Sequence, residues 1–375
     1  MLLEKTTLGS ISINGKGEYG LGASAEPFSK TKYTYLRITD INDDGTINTS
    51  DLKSVTVDDP DKYLLKENDI VFARTGASTG RNYFYNKNDG NFIYAGFLIK
   101  FSLDKSKVNP KFIKYYCLSK EYKDWISSYN TGSTRGNINA KTLADMPLLL
   151  PPMEYQNKCV DLLTLLDEKI ACNNKINKNL EQQAFTLFRK MFPNITLKEK
   201  MIGDFIIPKR GKNLLSNNTI FGNIPVVAGG VEPSTYHNVA NTKAPVITIS
   251  ASGANSGYVR LWNIPVWSSD SSFIDSSMTK DVYFWYVMLK KRQKEIYDSQ
   301  TGSAQPHIYP QHIAIMPIKN IDPFSIDIFT NAVTPLFQKI GTNIKENESL
   351  TSIRDNLLPK LLSGELDVSS INLDI

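Results

Sequence analysis

A chain of 375 residues that is 41% hydrophobic and 10% aromatic carries enough apolar mass for two ordinary cores, which excludes a disordered protein. Its cysteines, Cys117, Cys159 and Cys172, are odd in number and lack CxxC spacing, which argues against a disulfide framework or a structural zinc site and predicts buried thiols in a reducing cytoplasm. No run approaches about eighteen uninterrupted apolar residues and the first ten residues have no export pattern, so neither secretion nor a membrane span is expected. The net charge of +5 is unevenly spread: residues 1–150 hold 20 basic against 17 acidic groups, residues 201–320 hold 11 against 7, and residues 321–375 reverse to 4 against 8. That pattern suits a polyanion for the first two stretches and a protein partner for the last.

In chain order, β-branched and aromatic runs at 32–39, 70–74, 82–85 and 92–101, separated by Asp/Asn/Gly turns, predict strands of a mixed sheet. Residues 109–129 have apolar residues at helical spacing behind Pro110 and predict a helix. A Gly/Ser/Thr loop follows at 130–139, then a short extended run at 146–152. Residues 151–192 are free of glycine and of any proline beyond Pro151 and Pro152. There Leu166, Asn173, Leu180 and Leu187 stand seven apart, with Leu162, Ile170, Ile176, Ala184 and Met191 on the same stripe. This is a long amphipathic helix with a coiled-coil-like seam.

The plan then repeats. Strands are expected at 224–228, 245–250, 257–262 and 265–267, a helix at 280–298, a loop at 300–307, an extended run at 313–317 and a closing helix from about 324 to 362. From residue 110 to about 191 the copies align without a gap at an offset of 170, pairing Ile126 with Ile296 and Lys169-Ile170 with Lys339-Ile340. The seam recurs at Leu336, Asn343, Leu350 and Leu357, polar residue included. Upstream only landmarks persist, such as Leu8-Gly9 against Ile202-Gly203 and Gly76–Gly80 against Gly253–Gly257. Two repeats are too few for an open solenoid. The expected fold class is therefore α+β: two mixed α/β domains, 1–150 and 196–320, separated by two long antiparallel coiled-coil-like helices, 151–195 and 321–375, with an internal pseudo-two-fold repeat. A helix of this length spans about 57 Å at about 1.5 Å per residue, which makes it a spacer.

Catalytic patterns are missing. The loop Gly76–Arg81 lacks the spacing and the Lys-Ser/Thr of a phosphate loop, and the glycine-rich run 15–22 does not lie between a strand and a helix. His237, His307 and His312 are not paired at ligand spacing. Asp58-Asp59-Pro60-Asp61-Lys62 reads as a solvated turn, and Leu150-Pro151-Pro152-Met153 has neither the Asn nor the ring that adenine methyltransferases place beside their prolines. No catalytic, cofactor or metal residue is assigned.

The loops instead carry groups suited to base edges and phosphates. The first copy offers Arg74, Thr75, Ser78, Thr79 and Arg81 on one loop and Ser133, Thr134, Arg135 and Asn137 on another. The second offers Lys209, Arg210 and Lys212, then Ser252, Asn255, Ser256, Tyr258 and Arg260, then Ser303, Gln305 and His307. Matched positions differ, Arg74 against Ala251 and Arg135 against Gln305, so the copies would read different sequences. For any single residue, a backbone role in a turn is an equal explanation. A protein-interaction scaffold without DNA contacts is the alternative from another class.

Several motifs resemble the specificity subunits of Type I restriction-modification systems over essentially the whole chain. They are Leu149-Leu150-Pro151-Pro152-Met153-Glu154-Tyr155-Gln156, Leu166-Asp167-Glu168-Lys169-Ile170, Ile224-Pro225-Val226-Val227-Ala228-Gly229-Gly230, and the run from Arg354 through Leu358-Pro359-Lys360 to Leu366. The second copy departs at 319–323, and the variable domains match in outline only. The resemblance implies a non-catalytic subunit whose two target-recognition domains read the halves of a split site in double-stranded DNA. It further implies two modification (methyltransferase) subunits and two restriction (translocase/nuclease) subunits as partners, with S-adenosylmethionine, ATP and Mg²⁺ belonging to them.

Overall fold

The computed structural model describes residues 3–129, 137–302, 305–366 and 368. Two long helices, Met153–Met191 and Pro323–Ser363, are its main elements, and the rest is short strands and one- to three-turn helices. Pro335, Gly341 and Pro359 lie inside the second long helix. Gly341 has a packing reason, since a Cβ there would come within 2.8 Å of the Asn263 side chain. Among the described residues no helix is long and apolar enough to cross a membrane.

Packing divides the chain into two compact units, residues 1–168 with 350–375 and residues 169–349. The cuts fall inside the long helices and not at 150, 195 and 320, because each part of a helix joins the core beside it. In the first unit Cys159, Val160 and Leu163 of the first long helix and Leu358 and Leu361 of the second share one core with Phe72, Phe101, Phe112 and Ile113. In the second unit Ala184, Phe188 and Phe192 meet Phe284, Phe329, Val333 and Phe337. Phe188, Phe192, Phe284 and Phe329 contact one another with ring centroids 5.1 to 6.1 Å apart. Such pairs add about 0.5–1.5 kcal/mol each beyond area burial.

The first unit has a four-stranded antiparallel sheet in the order Glu18–Tyr19, Leu98–Ser102, Asp69–Ala73, Asn82–Phe84. A second sheet runs Glu26–Pro27, Lys53–Val55, Tyr33–Leu36, Phe92–Tyr94, its last pair parallel. The second unit repeats the first sheet as Lys209–Arg210, Ser271–Asp275, Val246–Ser250, Val259–Trp262. Its other sheet holds Thr235–His237, Ile224–Val227 and Trp267–Ser268. Each unit also has a two-stranded antiparallel ribbon, Glu4–Thr7 with Pro147–Leu150 and Lys200–Met201 with Pro317–Ile318.

Several expected elements differ. Residues 92–101 form two strands of different sheets, because the Leu98 N–H donates to the Ala95 carbonyl at 2.8 Å and closes a turn across Gly96 and Phe97. The helix expected at 109–129 is two, Pro110–Tyr116 and Lys120–Ser127, the latter capped by Ser119 Oγ accepting from the Tyr122 N–H. Residues 280–298 likewise split into Val282–Lys291 and Gln293–Asp298. Of the extended run expected at 313–317, Ile313 and Ala314 end a short helix, Pro310–Ala314, and only Pro317 is in a strand, Pro317–Ile318. Of the cysteines, Cys117 and Cys159 are buried but Cys172 is exposed. Burial pushes the Cys159 thiol up to about 11.

On the long helices Asn173 and Asn343 are buried at 2% and 0% exposure, and Leu166, Leu180, Leu187, Leu336, Leu350 and Leu357 are half-buried. Ile176 is exposed, and its neighbour Asn177 takes the seam position. Within the second unit Asn173 Nδ2 donates to Asn347 Oδ1 and to Glu346 Oε2, both at 2.9 Å, and Asn343 Nδ2 donates to Asn177 Oδ1 at 2.7 Å. The partners descend as the donors ascend, so the helices run antiparallel there. In the first unit Asp167 accepts from Lys114 Nζ at 2.7 Å, Tyr115 Oη at 2.9 Å and Arg354 Nη1 at 3.1 Å. Gln156, 2% exposed, accepts the Asn109 N–H and donates to the Pro151 carbonyl, which explains the glutamine in the proline-led motif.

Candidate nucleic-acid interface

The glycine loops are built alike in both units. Gly76 and Gly80 have φ of +75° and +87°, Gly253 and Gly257 of +81° and +87°. These are left-handed values that a side chain resists. The Gly80 N–H donates to the Ala73 carbonyl at 2.8 Å and the Gly257 N–H to the Ser250 carbonyl at 2.7 Å. A Cβ on Gly80 would meet Ile126, and one on Gly257 would meet Ile296, residues that stand 170 apart. Each loop is then held against the later loop of its own unit. Thr75 bridges Asn137, with the Ile138 N–H on the Arg74 carbonyl at 2.9 Å; Ser252 bridges His307, with the Ile308 N–H on the Ala251 carbonyl at 2.9 Å.

The strand registers extend this equivalence. Ala73 faces Leu98 as Ser250 faces Ser271, so Phe97 and Asp270 are matching positions that accept the backbone N–H of Arg74 and Ala251 at 3.0 and 3.1 Å. Tyr19 faces Ile99 as Arg210 faces Ser272, and Gly20 and Gly211 donate to Leu98 and Ser271. One frame therefore displays Tyr19, Arg74, Thr75, Phe97 and Asn137 in the first unit and Arg210, Ala251, Ser252, Asp270 and His307 in the second.

The side chains make different local chemistry on that frame. Arg74 Cζ lies 5.2 Å from the Tyr19 ring, and its buried Nε has no hydrogen-bond partner among the described residues. Phe97 is 58% exposed. In the second unit Arg210 Nη2 donates to Asp270 Oδ1 at 2.5 Å, and Ser252 Oγ donates to Asp270 Oδ2. The His307 ring stacks on Tyr309, centroids 5.9 Å apart.

Other expected site residues are placed less favourably. Ser256 is fully buried and Ser78 is 8% exposed, so both are parts of their turns and are corrected as contacts. Arg81 is spent on Asp43, at 2.7 Å, and on the Ile41 carbonyl. Arg260 donates to the Val231 carbonyl and to Glu232, with its guanidinium 4.0 Å over Trp262. The Tyr258 ring carries Lys290 at 4.4 Å, whose pKa burial lowers. Thr79 Oγ1 donates to the Gly76 carbonyl at 2.8 Å. Lys209, Lys212 and Gln305 are exposed, and Asn255 is half-buried. Ser133, Thr134, Arg135 and Ser303 lie outside the described residues.

The sequence reading missed Tyr19, Phe97 and Asp270. The offset between copies is 191 at Tyr19/Arg210, 177 at Arg74/Ala251 and 173 at Phe97/Asp270, so a constant offset of 170 cannot align them; the strand ladder can.

Residues 8–182 match the Type I restriction modification DNA specificity domain. The chain is 28% identical over 280 residues to S.MpnORF638P of Mycoplasma pneumoniae, named for a type I specificity subunit, covering 69% of this chain and 74% of that one. It is 27% identical over 314 residues to the Type I restriction enzyme MjaIX specificity subunit of Methanocaldococcus jannaschii, covering 72% of each. The fold resembles the crystal structure of the Type I restriction-modification system S subunit from M. genitalium, with a TM-score of 0.54 at 23% identity over 96% of both chains. A mixed α+β fold with a specificity domain in its first half is thus the class. Residues 8–182 carry the Type I restriction modification DNA specificity domain, and the chain is similar to type I specificity subunits over about 70% of its length.

Proposed function

We propose that this chain is the non-catalytic, DNA-reading subunit of a Type I restriction-modification enzyme. Its two recognition parts, 1–150 and 196–320, each read one half of a bipartite, asymmetric site in double-stranded DNA. The observation that carries this is the repeated frame with different side chains at matched points: Tyr19, Arg74 and Phe97 against Arg210, Ala251 and Asp270. One frame with two sets of groups is what reading two unlike half-sites requires.

The long helices act as an antiparallel, coiled-coil-like pair that sets the unread gap and docks two adenine-methylating modification subunits. Support comes from Asn173 on Asn347 and Asn343 on Asn177, which are the exchanged contacts that a pseudo-two-fold axis demands. Two restriction subunits would join the complex. S-adenosylmethionine, ATP and Mg²⁺ would be held by these partners, and the complex would act in the cytoplasm.

Base-resolution methylation mapping with the cognate modification subunit tests the reading. Two different half-sites at a fixed gap are expected; methylation without sequence preference overturns it. A scaffold without DNA contacts would show no DNA affinity that falls steeply with salt.

A further inference from the structure

Arg210 and Asp270 stand where the first unit has Tyr19 and Phe97, and they form the one cross-loop ion pair on the second unit's frame among the described residues. The backbone under Arg210 is pinned on both sides. Lys209 and Arg210 pair with Phe273 and Ser272, the Gly211 N–H donates to the Ser271 carbonyl at 2.8 Å and the Lys212 N–H to the Ser268 carbonyl at 2.9 Å. A Cβ on Gly211 would lie 2.4 Å from the Ser268 carbonyl oxygen, so that turn accepts only glycine.

The side chain is restrained as well. One oxygen of Asp270 takes Arg210 Nη2 and the other takes Ser252 Oγ, on the loop that bridges His307. The Arg210 and Asp270 side chains nevertheless remain 40% and 34% exposed, and Arg210 Nε and Nη1 have no partner among the described residues. An ion pair this exposed contributes little to folding. Its effect is to hold a long, rotamer-rich side chain in one orientation with N–H donors to spare, which removes an ordering cost from binding.

The geometry points to Asp270 as a positioning residue that holds Arg210 to read one guanine in the half-site of the second unit. The inference rests on the DNA-reading function proposed above. A planar guanidinium matches the O6 and N7 acceptors of guanine in the major groove, while Lys209 and Lys212, exposed on either side, suit phosphates. Asp270 accepts from the arginine and keeps its own negative charge neutralised in front of a polyanion.

The test uses the full chain with its cognate modification subunit and a duplex library randomised across both half-sites, with methylated products sequenced. The unaltered protein should require guanine at a position of one half-site. Arg210→Ala and Arg210→Lys should each weaken that preference about tenfold or more at that position alone. Asp270→Ala should relax the same position, Asp270→Asn should retain most of the preference because its Oδ1 still accepts, and Arg210→Ala with Asp270→Ala should be no worse than Arg210→Ala. Relaxation at other positions, uniform loss across the half-site, or an unchanged guanine preference in Arg210→Ala or Asp270→Ala overturns the assignment. An unaltered protein that selects no sequence overturns the DNA-reading function itself; one that selects two half-sites without an Arg210-dependent guanine overturns this assignment only.

Discussion

Asn343 donates its amide to Asn177 at 2.7 Å, from a position with no exposed surface. An amide buried in a helix seam reduces stability yet favours the one register in which it is answered. Asn343→Leu alone leaves Asn177 unanswered and should cost about 1 kcal/mol. Asn177→Leu with Asn343→Leu should recover part or all of that loss, with a coupling of about 0.5–1.5 kcal/mol in a double-mutant cycle of thermal or denaturant unfolding. Strict additivity would show that the two amides do not interact.

Gly76 and Gly80 separate conformational strain from collision within one loop. Both need a left-handed backbone, but a Cβ on Gly76 meets nothing within 4 Å among the described residues, whereas one on Gly80 would lie 2.4 Å from Ile126 Cγ2. Gly76→Ala should therefore cost about 1 kcal/mol, and Gly80→Ala about 2–4 kcal/mol. Denaturant titration of the two variants measures the difference. Equal losses would mean that Ile126 moves aside freely.

Asp167 links stability to pH. Burial pushes its pKa up, but Lys114, Tyr115 and Arg354 outweigh that and hold it below the ordinary carboxylate value. A depressed carboxylate stabilises the fold above its unfolded pKa of about 3.9 and loses that contribution as pH falls through the folded value. Asp167→Asn should be about 1–3 kcal/mol less stable than the parent at neutral pH. The gap should narrow only in the acid range below about pH 3.9, as read from melting curves across pH.

Arg74→Ala removes the cation from the Tyr19 ring and the one charged group that distinguishes this position from Ala251. Methylation mapping should show weakened recognition in the first half-site and an intact requirement in the second. Loss confined to the second half-site would reverse the assignment of units to half-sites. By contrast, four residues inserted between Lys178 and Gln182 should change the gap and neither half-site; an unchanged gap would count against the helix pair as a ruler.

The long helices were legible because a seven-residue spacing of Leu, Ile and Ala persists over many turns, and the second tolerated Pro335 and Gly341 that a local rule would have used to end it. Tertiary contact at Asn263 explains the glycine. Strand Ser271–Asp275 was not legible at all. Its serines look like a turn, yet Ser271 and Ser272 are buried in the interior of the sheet, where Ser271 Oγ donates to the Val227 carbonyl and lies 2.8 Å from Ser268 Oγ. The glycine loops were found from their spacing, but Phe97 and Asp270 become visible as a pair only through hydrogen-bond register. Local composition carries no record of which strand lies opposite.

The two-stranded ribbons have a consequence for how such a chain can change. Glu4–Thr7 and Pro147–Leu150 are partners, so the chain leaves and rejoins the base of the first unit at neighbouring points, and Gly9 packs on Ala144 just above. Lys200–Met201 with Pro317–Ile318, and Gly203 on Ala314, do the same in the second unit. Closing a longer loop between fixed ends adds only about 0.6 kcal/mol per doubling of its length. The ribbon therefore isolates the helix from length changes above it: a longer or shorter loop leaves the point where the helix receives the chain unaltered, so long as the residues that pack on the helix, such as Phe112, Ile113 and Lys114, are kept.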